Sequence, residues 1–422
     1  MSRLIGTIVR GIRMPIFMEG DDLVSLICER IGQCVAHGDL QAQDQDIVAV
    51  TESVVARAQG NYICTAQISA DLKKKLPADC QKLAITFPIL SRNRFSILLK
   101  AFAQAVPEID LVLAYPQDEV GNPLMDAQAL ITSEVNPYRD LLTEEEFHAA
   151  FGNEYTHPFT GINYGDFYRS IIEEAGAKCQ IFYGNDPVQV VKICKDILTC
   201  DIHTRARSKK LMRGAGARTV LGLDDIATSP VIFSDEEVEV LKKINPLARK
   251  ESGYNATYGL LGSNKANEDT VKLFPRHGQE FVDALAKSLK ELLGKQVEVM
   301  IYGDGAFKDP QAGIWELADP VVSPGFTKGL EGRPSELKIK YLADTDLYEL
   351  NPADREKALI DQISKKDSLQ NAPADNLKEG TTPRRIVDLL GSLSDLCSGS
   401  GDKGTPVVYI QNYLDNFARD QD

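Results

Sequence analysis

The sequence predicts an α+β protein that carries a small α/β subdomain. Three observations lead there. Val297, Val299 and Ile301 alternate as one face of a strand. Leu23, Leu26, Ile27 and Ile31 recur at helical spacing. Between residues 126 and 245, short apolar runs alternate with helical stretches, the pattern of strand–helix–strand units. A chain of 422 residues has room for two or three cores. Changes of texture divide it at 1–125, 126–245 and 246–422.

Taken in order, residues 4–10 read as a strand. Gly20-Asp21-Asp22 opens a helix that runs to about Val35, with Asp21 or Asp22 as its N-cap. Residues 46–55 are apolar. Residues 83–88 and 110–114 are further strands, with a helix over 95–105 between them. In the second portion a helix over 164–175 precedes a strand at 179–183. A turn at 184–187 then starts a helix led by Pro187, and strands follow at 200–206 and 218–222. In the third portion a helix from about Glu280 to Leu293 stops at Gly294, an ordinary C-terminal signal. The strand through Ile301 comes next. Residues 351–383 read as a polar connection, and 405–410 as a last strand.

Composition is that of a globular protein, 43% hydrophobic and 26% charged. The net charge of −14 argues against a surface that tracks nucleic-acid phosphates. No apolar run reaches membrane-spanning length. The first 17 residues are interrupted by Arg3, Arg10 and Arg13, and no small-residue cleavage site follows, so they read as a strand and not a secretory signal. Eight cysteines without a Cys-x-x-Cys pair suit free thiols in a reducing cytosol. The expectation is a cytoplasmic protein without a nucleic-acid or membrane partner.

Five segments could carry chemistry. The strand through Ile301 runs into Gly303-Asp304-Gly305, and Asp309, Glu316 and Asp319 follow closely. Carboxylates at a strand end suit a hard divalent cation, while a polar loop is the plainer alternative. Cys397-Ser-Gly-Ser-Gly-Asp-Lys-Gly-Thr-Pro406 exposes backbone N–H groups that can cradle phosphate, with Lys403 adding charge. It lacks a P-loop ending and equally suits a surface turn. Gly253 to Asp269 interleaves Tyr, Asn and Lys with glycines; Glu268 and Asp269 could join Asp304 at a cation, or Asn267 could cap a helix starting at Glu268. If Asp201 to Arg207 is extended, Asp201, His203, Arg205 and Arg207 share one face that could take a carboxylate or phosphate. A self-paired solvated face competes with that reading. Arg92 and Arg94 stand at a strand–helix junction, a second possible anion site.

Together these segments resemble the gamma-glutamyl ligase family of the deazaflavin coenzyme F-420. Met14-Pro-Ile-Phe-Met-Glu-Gly-Asp-Asp-Leu23 is similar to its N-terminal Leu-Pro…Pro-Gly-Asp-Asp-Leu segment. Asp46 to Gly60 is similar to its Asp-x-Leu-x-x-Thr-x-Lys-Val-Val-Ser-Lys-Ala-Glu-Gly segment. Residues 259–275, the following helix and 301–310 resemble its Asn-Ala-Gly-x-Asp and Thr-Asp-Thr-Phe-Gly-Arg-Pro blocks. Residues 394–408 resemble its Met-Gly-Glu/Gln…Gly-Ile-Pro-Val-Val ending. The blocks keep the family's order, and 126–245 look like an insertion. The resemblance implies the F-420 ligase-like mixed fold, a homodimer, GTP (or ATP) as co-substrate and Mg²⁺ or Mn²⁺. It also implies an acyl-phosphate route that joins L-glutamate to a carboxylate acceptor such as a phosphorylated deazaflavin.

By that resemblance Asp304 is the metal anchor, joined by Glu268 or Asp269. Nucleotide contacts fall on Met14, Pro15, Ile16, Phe17, Arg57, Asn264 and the loop Gly399, Ser400, Gly401, Asp402, Lys403 and Gly404. Arg92 or Arg205 would hold a substrate carboxylate. Ser53 stands where the family has a nucleotide-contacting Lys, Ser400 where Glu or Gln ligates a second metal, and Gly305 where a hydroxyl residue follows the key Asp. These departures motivate two other readings: a catalytically silent nucleotide- or anion-binding relative, or a ligase with a different acceptor.

Overall fold

The computed structural model describes residues 4–119, 121–152, 155–202, 204–243, 245–303, 306–308, 315–317, 322–365, 379–381, 385–399 and 401–415. The chain forms two compact units. The first takes Met1–Gln59, His277–Gly303 and Val321–Asp422; the second takes Gly60–Arg276 and Asp304–Pro320. The second is thus inserted in the chain of the first, and the expected α+β class holds.

The first unit is built on a five-stranded mixed sheet. Its order is Ile8–Ile12, Val407–Gln411, Ile47–Thr51, Glu298–Gly303 and Val322–Phe326. Only the Ile47–Thr51 and Glu298–Gly303 pair is parallel, in the register Val299 opposite Val48. Period-2 side chains decide the layers. Val48, Val50, Val299 and Ile301 face helices Leu23–His37 and Gly278–Leu293 through Ile27, Ile31, Val282 and Leu285. Ile47, Ala49, Met300 and Tyr302 face helix Ile386–Ser398 through Ile386, Val387 and Leu390. Both faces are covered, so the strands read as continuous apolar runs. Each fully buried aliphatic side chain contributes roughly 1.5–3 kcal/mol.

Local signals were obeyed here. Asp22 is the N-cap of Leu23–His37, its carboxylate accepting from Ser25 N at 3.2 Å and Ser25 Oγ at 2.7 Å. Those bonds hold the Asp22 carboxyl below its ordinary value, the hydroxyl first and the backbone second. Helix Gly278–Leu293 ends in a left-handed Gly294, as expected. The apolar run 46–55 divides in two, a strand to Thr51 and then helix Glu52–Ala58. The polar stretch expected over 351–383 contains a helix, Pro352–Ser364, capped by Asn351 with proline at its first position. Its turns bury no residue, which is why apolar periodicity missed it.

The second unit holds a six-stranded sheet, ordered Leu142–Thr143, Lys178–Tyr183, Glu108–Leu113, Lys82–Thr86, Asp196–Thr199 and Thr219–Gly222. All but the first run parallel. Two expectations fail in this unit. Residues 200–206 are not a strand: the strand is Asp196–Thr199, and Asp201 Oδ1 accepts from Thr204 N at 2.8 Å to turn the chain into helix Arg205–Gly214. No helix begins at Glu268. Asn267 Oδ1 accepts from Asp269 N at 2.9 Å and closes a hairpin between Asn264–Asn267 and Thr270–Lys272. The same side-chain chemistry serves a cap or a turn, and here the strand Thr270–Lys272 pairs with Tyr62–Cys64 and decides for the turn. Among the described residues no helix is long and apolar enough to cross a membrane, and the eight cysteines are free.

Candidate functional site

The first unit contains a cavity of about 380 Å³ where three distant segments converge. One is Met14 to Phe17, the second is the start of helix Glu52–Ala58, and the third is the turn after helix Ile386–Ser398. Sheet pairing brings them together. The strand Val407–Gln411 lies between Ile8–Ile12 and Ile47–Thr51, so the residues just before it meet those just after the other two. Met14 N donates to Gly404 O at 2.9 Å, and Thr51 N donates to Pro406 O at 3.0 Å.

Each wall has a physical cause. Helix Glu52–Ala58 buries Val55 and Ala56, which leaves Ser53 and Arg57 together on its exposed side one turn apart. Arg57 Nε donates to Phe17 O at 2.7 Å, which fixes the guanidinium at the mouth. Phe17 is buried in the core, whereas Ile16 beside it is 86% exposed on the cavity wall. The glycine turn needs glycine: Gly399 has φ +62° and Gly404 φ +66°. The Lys403 side chain lies over Gly399, so a Cβ there would meet Nζ at 2.7 Å. Thr405 Oγ1 donates to Ser398 O at 2.9 Å and ties the turn to the helix end.

The cavity therefore has a basic side, Arg57 with Lys403 close by, and an acidic side, Asp395 at the last turn of helix Ile386–Ser398. Helix C-termini carry negative partial charge, which reinforces that side. An anion fits against Arg57 and the glycine turn, and the exposed apolar Ile16 suits a flat apolar ring. Behind the wall, Tyr302 is buried, and burial pushes its hydroxyl well above the ordinary tyrosine value.

Of the residues singled out in the sequence, Met14, Pro15, Ile16, Phe17, Arg57, Gly399, Gly401 and Gly404 line this cavity, and Ser53 does too. Asp402 and Lys403 belong to the same turn. Ser398, Thr405 and Pro406, from the segment read as a phosphate cradle, also line it, and Thr51, Val54 and Asp395 do so without having been anticipated. Asp395 had one available signal, its place one turn before a helix-ending glycine. Asp304, Ser400 and His203 lie outside the described residues. Asn264, Glu268 and Asp269 sit on the hairpin of the second unit, where Lys265 Nζ pairs with Glu268 at 2.7 Å and Lys100 Nζ with Asp269 at 2.6 Å. Arg92 and Arg205 also belong to the second unit. Arg205 Nη1 donates to the carbonyls of Asp201 and Ile202 at 3.0 and 3.1 Å, and its Nε lies 3.2 Å from Asp224. Asn61 and Asn255 tie down the glycine-punctuated segment: Asn61 Nδ2 donates to Tyr254 O at 3.0 Å and Asn255 Nδ2 to Pro275 O at 3.0 Å.

The described residues contain no group of three His, Cys, Asp or Glu placed to hold a metal ion. They fit a phosphate-bearing ligand and do not by themselves make a resident cation site.

A mixed sheet whose strand ends gather an arginine and a glycine turn around one cavity defines an α+β protein. The family description F420-0:Gamma-glutamyl ligase matches residues 11–412, and the chain belongs to that family. No curated protein matches it. Membership makes gamma-glutamyl ligation its class of chemistry.

Proposed function

We propose that the protein is a nucleotide-dependent ligase that joins L-glutamate through its amine to a carboxylate acceptor, a deazaflavin of the F-420-0 type being the first candidate. One observation carries the proposal. The three segments that resemble the family's nucleotide-contacting blocks converge on one cavity, with Arg57 and the glycine turn both among its lining residues. In the proposed reaction a triphosphate, GTP or ATP, gives its γ-phosphoryl group to an acceptor carboxylate oxygen. The O–P bond to the diphosphate breaks and an acyl phosphate forms. The glutamate nitrogen then attacks the acyl carbon, phosphate leaves, and the nitrogen loses a proton.

The chain's part is to place and neutralise charge. Arg57 is held by Phe17 O and presents its remaining N–H groups to a phosphate. Lys403 and the backbone N–H groups of the turn donate to further phosphate oxygens. Ile16 covers the base. A divalent cation bound with the triphosphate would offset its charge, and Asp304 is the proposed anchor on sequence resemblance. Arg92 and Arg205 remain candidates for an acceptor carboxylate.

Ser53 favours a second reading. It occupies the cavity wall where the family carries a lysine, so the site has one fewer cation than a full phosphoryl-transfer clamp. A silent nucleotide-binding relative would keep the cavity and lose the chemistry. Incubation of the full chain with GTP or ATP, Mn²⁺, L-glutamate and a panel of carboxylate acceptors separates the two. Acceptor-dependent release of inorganic phosphate, abolished by Asp304→Ala, is expected. Nucleotide binding with no release on any acceptor would establish the silent form.

A further inference from the structure

The second unit carries a crevice of its own. Numbered along the chain, its five parallel strands stand in the order third, second, first, fourth, fifth. Helices Phe95–Ala103 and Tyr164–Glu174, which follow the first and second of these strands, cover one face through Leu98, Phe102, Tyr168 and Ile172. Helices Pro187–Ile193 and Arg205–Gly214, which follow the third and fourth, cover the other through Val190, Val191 and Met212. Winding reverses between Lys82–Thr86 and Asp196–Thr199. Chains leaving two neighbouring strands toward opposite faces leave a gap beyond their C-terminal ends, and open α/β sheets bind ligands there.

A crevice of about 220 Å³ occupies that place. Phe87, Leu124 and Ile202 give it apolar walls, and three carboxylates line it, Asp118, Glu119 and Asp201. Among the described residues, neither Lys nor Arg lines it. The turn after the first strand is Phe87-Pro-Ile-Leu90, with no glycine to let the backbone close on a pyrophosphate. Phe87 itself has φ +52°, a conformation that a bulky side chain rarely adopts. Asp118 is fixed by Asn122, whose N and Nδ2 both donate to it at 2.7 Å, and by His157 Nε2 at 3.4 Å. A cavity of about 150 Å³ holds one benzene ring. This one is larger by the volume of a short arm.

We propose that this crevice binds a small amine with a compact apolar body, of arylethylamine size, and rejects phosphates and carboxylates. The apolar walls take the ring or alkyl body, and the ammonium sits at the rim against the exposed Glu119, beside Asp118 and Asp201, whose oxygens already accept from Asn122, Thr199 and Thr204 and add negative charge. The topology is the one that elsewhere serves nucleotides, but the residues after its strands reverse the charge the ligand must carry. The inference goes beyond the ligase reading and does not depend on it, since the crevice lies wholly within the inserted unit.

Calorimetric titration of the full chain with 2-phenylethylamine tests it, with 2-phenylethanol, 3-phenylpropionate and adenosine monophosphate as comparison probes. One-site saturable binding of the amine is expected, about tenfold or more tighter than the alcohol. The carboxylate and the nucleotide should not bind in competition with it. Glu119→Gln, on the exposed rim, should weaken the amine roughly threefold to tenfold. Ile202→Trp should fill the crevice and abolish binding, with near-ultraviolet circular dichroism checking that each variant stays folded. If Ile202→Trp does not fold, the Glu119→Gln result decides. No saturation at millimolar amine, equal affinity for 3-phenylpropionate, or indifference to Glu119→Gln would overturn the proposal.

Discussion

Two cavities of this chain open at strand ends, yet they offer opposite chemistry. In the first unit the strand Ile47–Thr51 passes into a short helix whose exposed side shows Ser53 and Arg57, and a glycine turn lines the same cavity. Arg57 and the glycine turn line that cavity, and the ligand proposed for it is an anion. In the second unit the strand Lys82–Thr86 passes into Phe87 and Pro88, and the carboxylates of Asp118, Glu119 and Asp201 line the gap. Topology sets where a cavity opens. The few residues after each strand set what it can hold.

The largest effect that would sharpen this contrast is on nucleotide binding. Arg57→Ala should weaken GTP or ATP roughly tenfold to a hundredfold, the loss of charge-assisted hydrogen bonds, and leave the crevice of the second unit unchanged. Arg57→Lys should recover only part of the loss, because a point charge cannot hold both Phe17 O and a phosphate. Titration calorimetry of the three proteins measures both. Equal affinity in all three would break the contrast at its basic side.

Next comes Tyr168→Phe. Tyr168 Oη accepts from Ser91 N at 2.9 Å and donates to Ile89 O at 2.6 Å, which fixes the turn beside the crevice. Removing the hydroxyl strands a buried N–H and should cost about 1–3 kcal/mol. Chemical denaturation should show the loss, and nucleotide affinity should stay at the wild-type value. Gly404→Ala is smaller. At φ +66° a Cβ is strained by about 1–2 kcal/mol, so the turn opposite Arg57 should loosen and nucleotide affinity fall severalfold.

The smallest effect is on pH, and its sign differs between units. Burial pushes the Asp46 carboxyl in the first unit above its ordinary value, despite hydrogen bonds from Gln43 N, Tyr409 and Gln411. Its contribution is full at and below the ordinary carboxylate range and is lost as pH rises through the raised value. Asp196 in the second unit is the reverse. Burial alone would raise it, but Arg218, 2.9 Å away through Nε, outweighs burial and holds it below the ordinary value. Its contribution is present above the ordinary range and fades as pH falls through the lowered value. Thermal melts between about pH 6 and 3 should therefore show Asp46→Asn changing the upper part of the range and Arg218→Ala the lower part. Parallel shifts in both variants would contradict this.

Much of the fold was legible because local chemistry and tertiary packing agree. Val297, Val299 and Ile301 do share a face, Asp22 does cap its helix, and Gly294 does stop one. Where they failed to agree, a single residue type served two roles. Asn267 makes a hairpin turn in place of a cap, and Asp201 turns the chain into a helix whose buried Ser208 and Met212 outweigh an extended pattern. The first cavity was legible only through family resemblance. Residues 399–404 lie hundreds of positions after 14–17 and 53–57, and periodicity carries no information on strand order. The crevice of the second unit was not legible at all, since it exists only because winding reverses between two strands.

Which of the two cavities takes nucleotide can be read directly by photolabelling the full chain with an azido-GTP and mapping the modified peptides by mass spectrometry. Saturable, GTP-protected label on peptides spanning 14–18, 51–57 or 395–406 is the predicted result. Protected label confined to 87–90 or 201–204, or no protected label anywhere, would contradict the account.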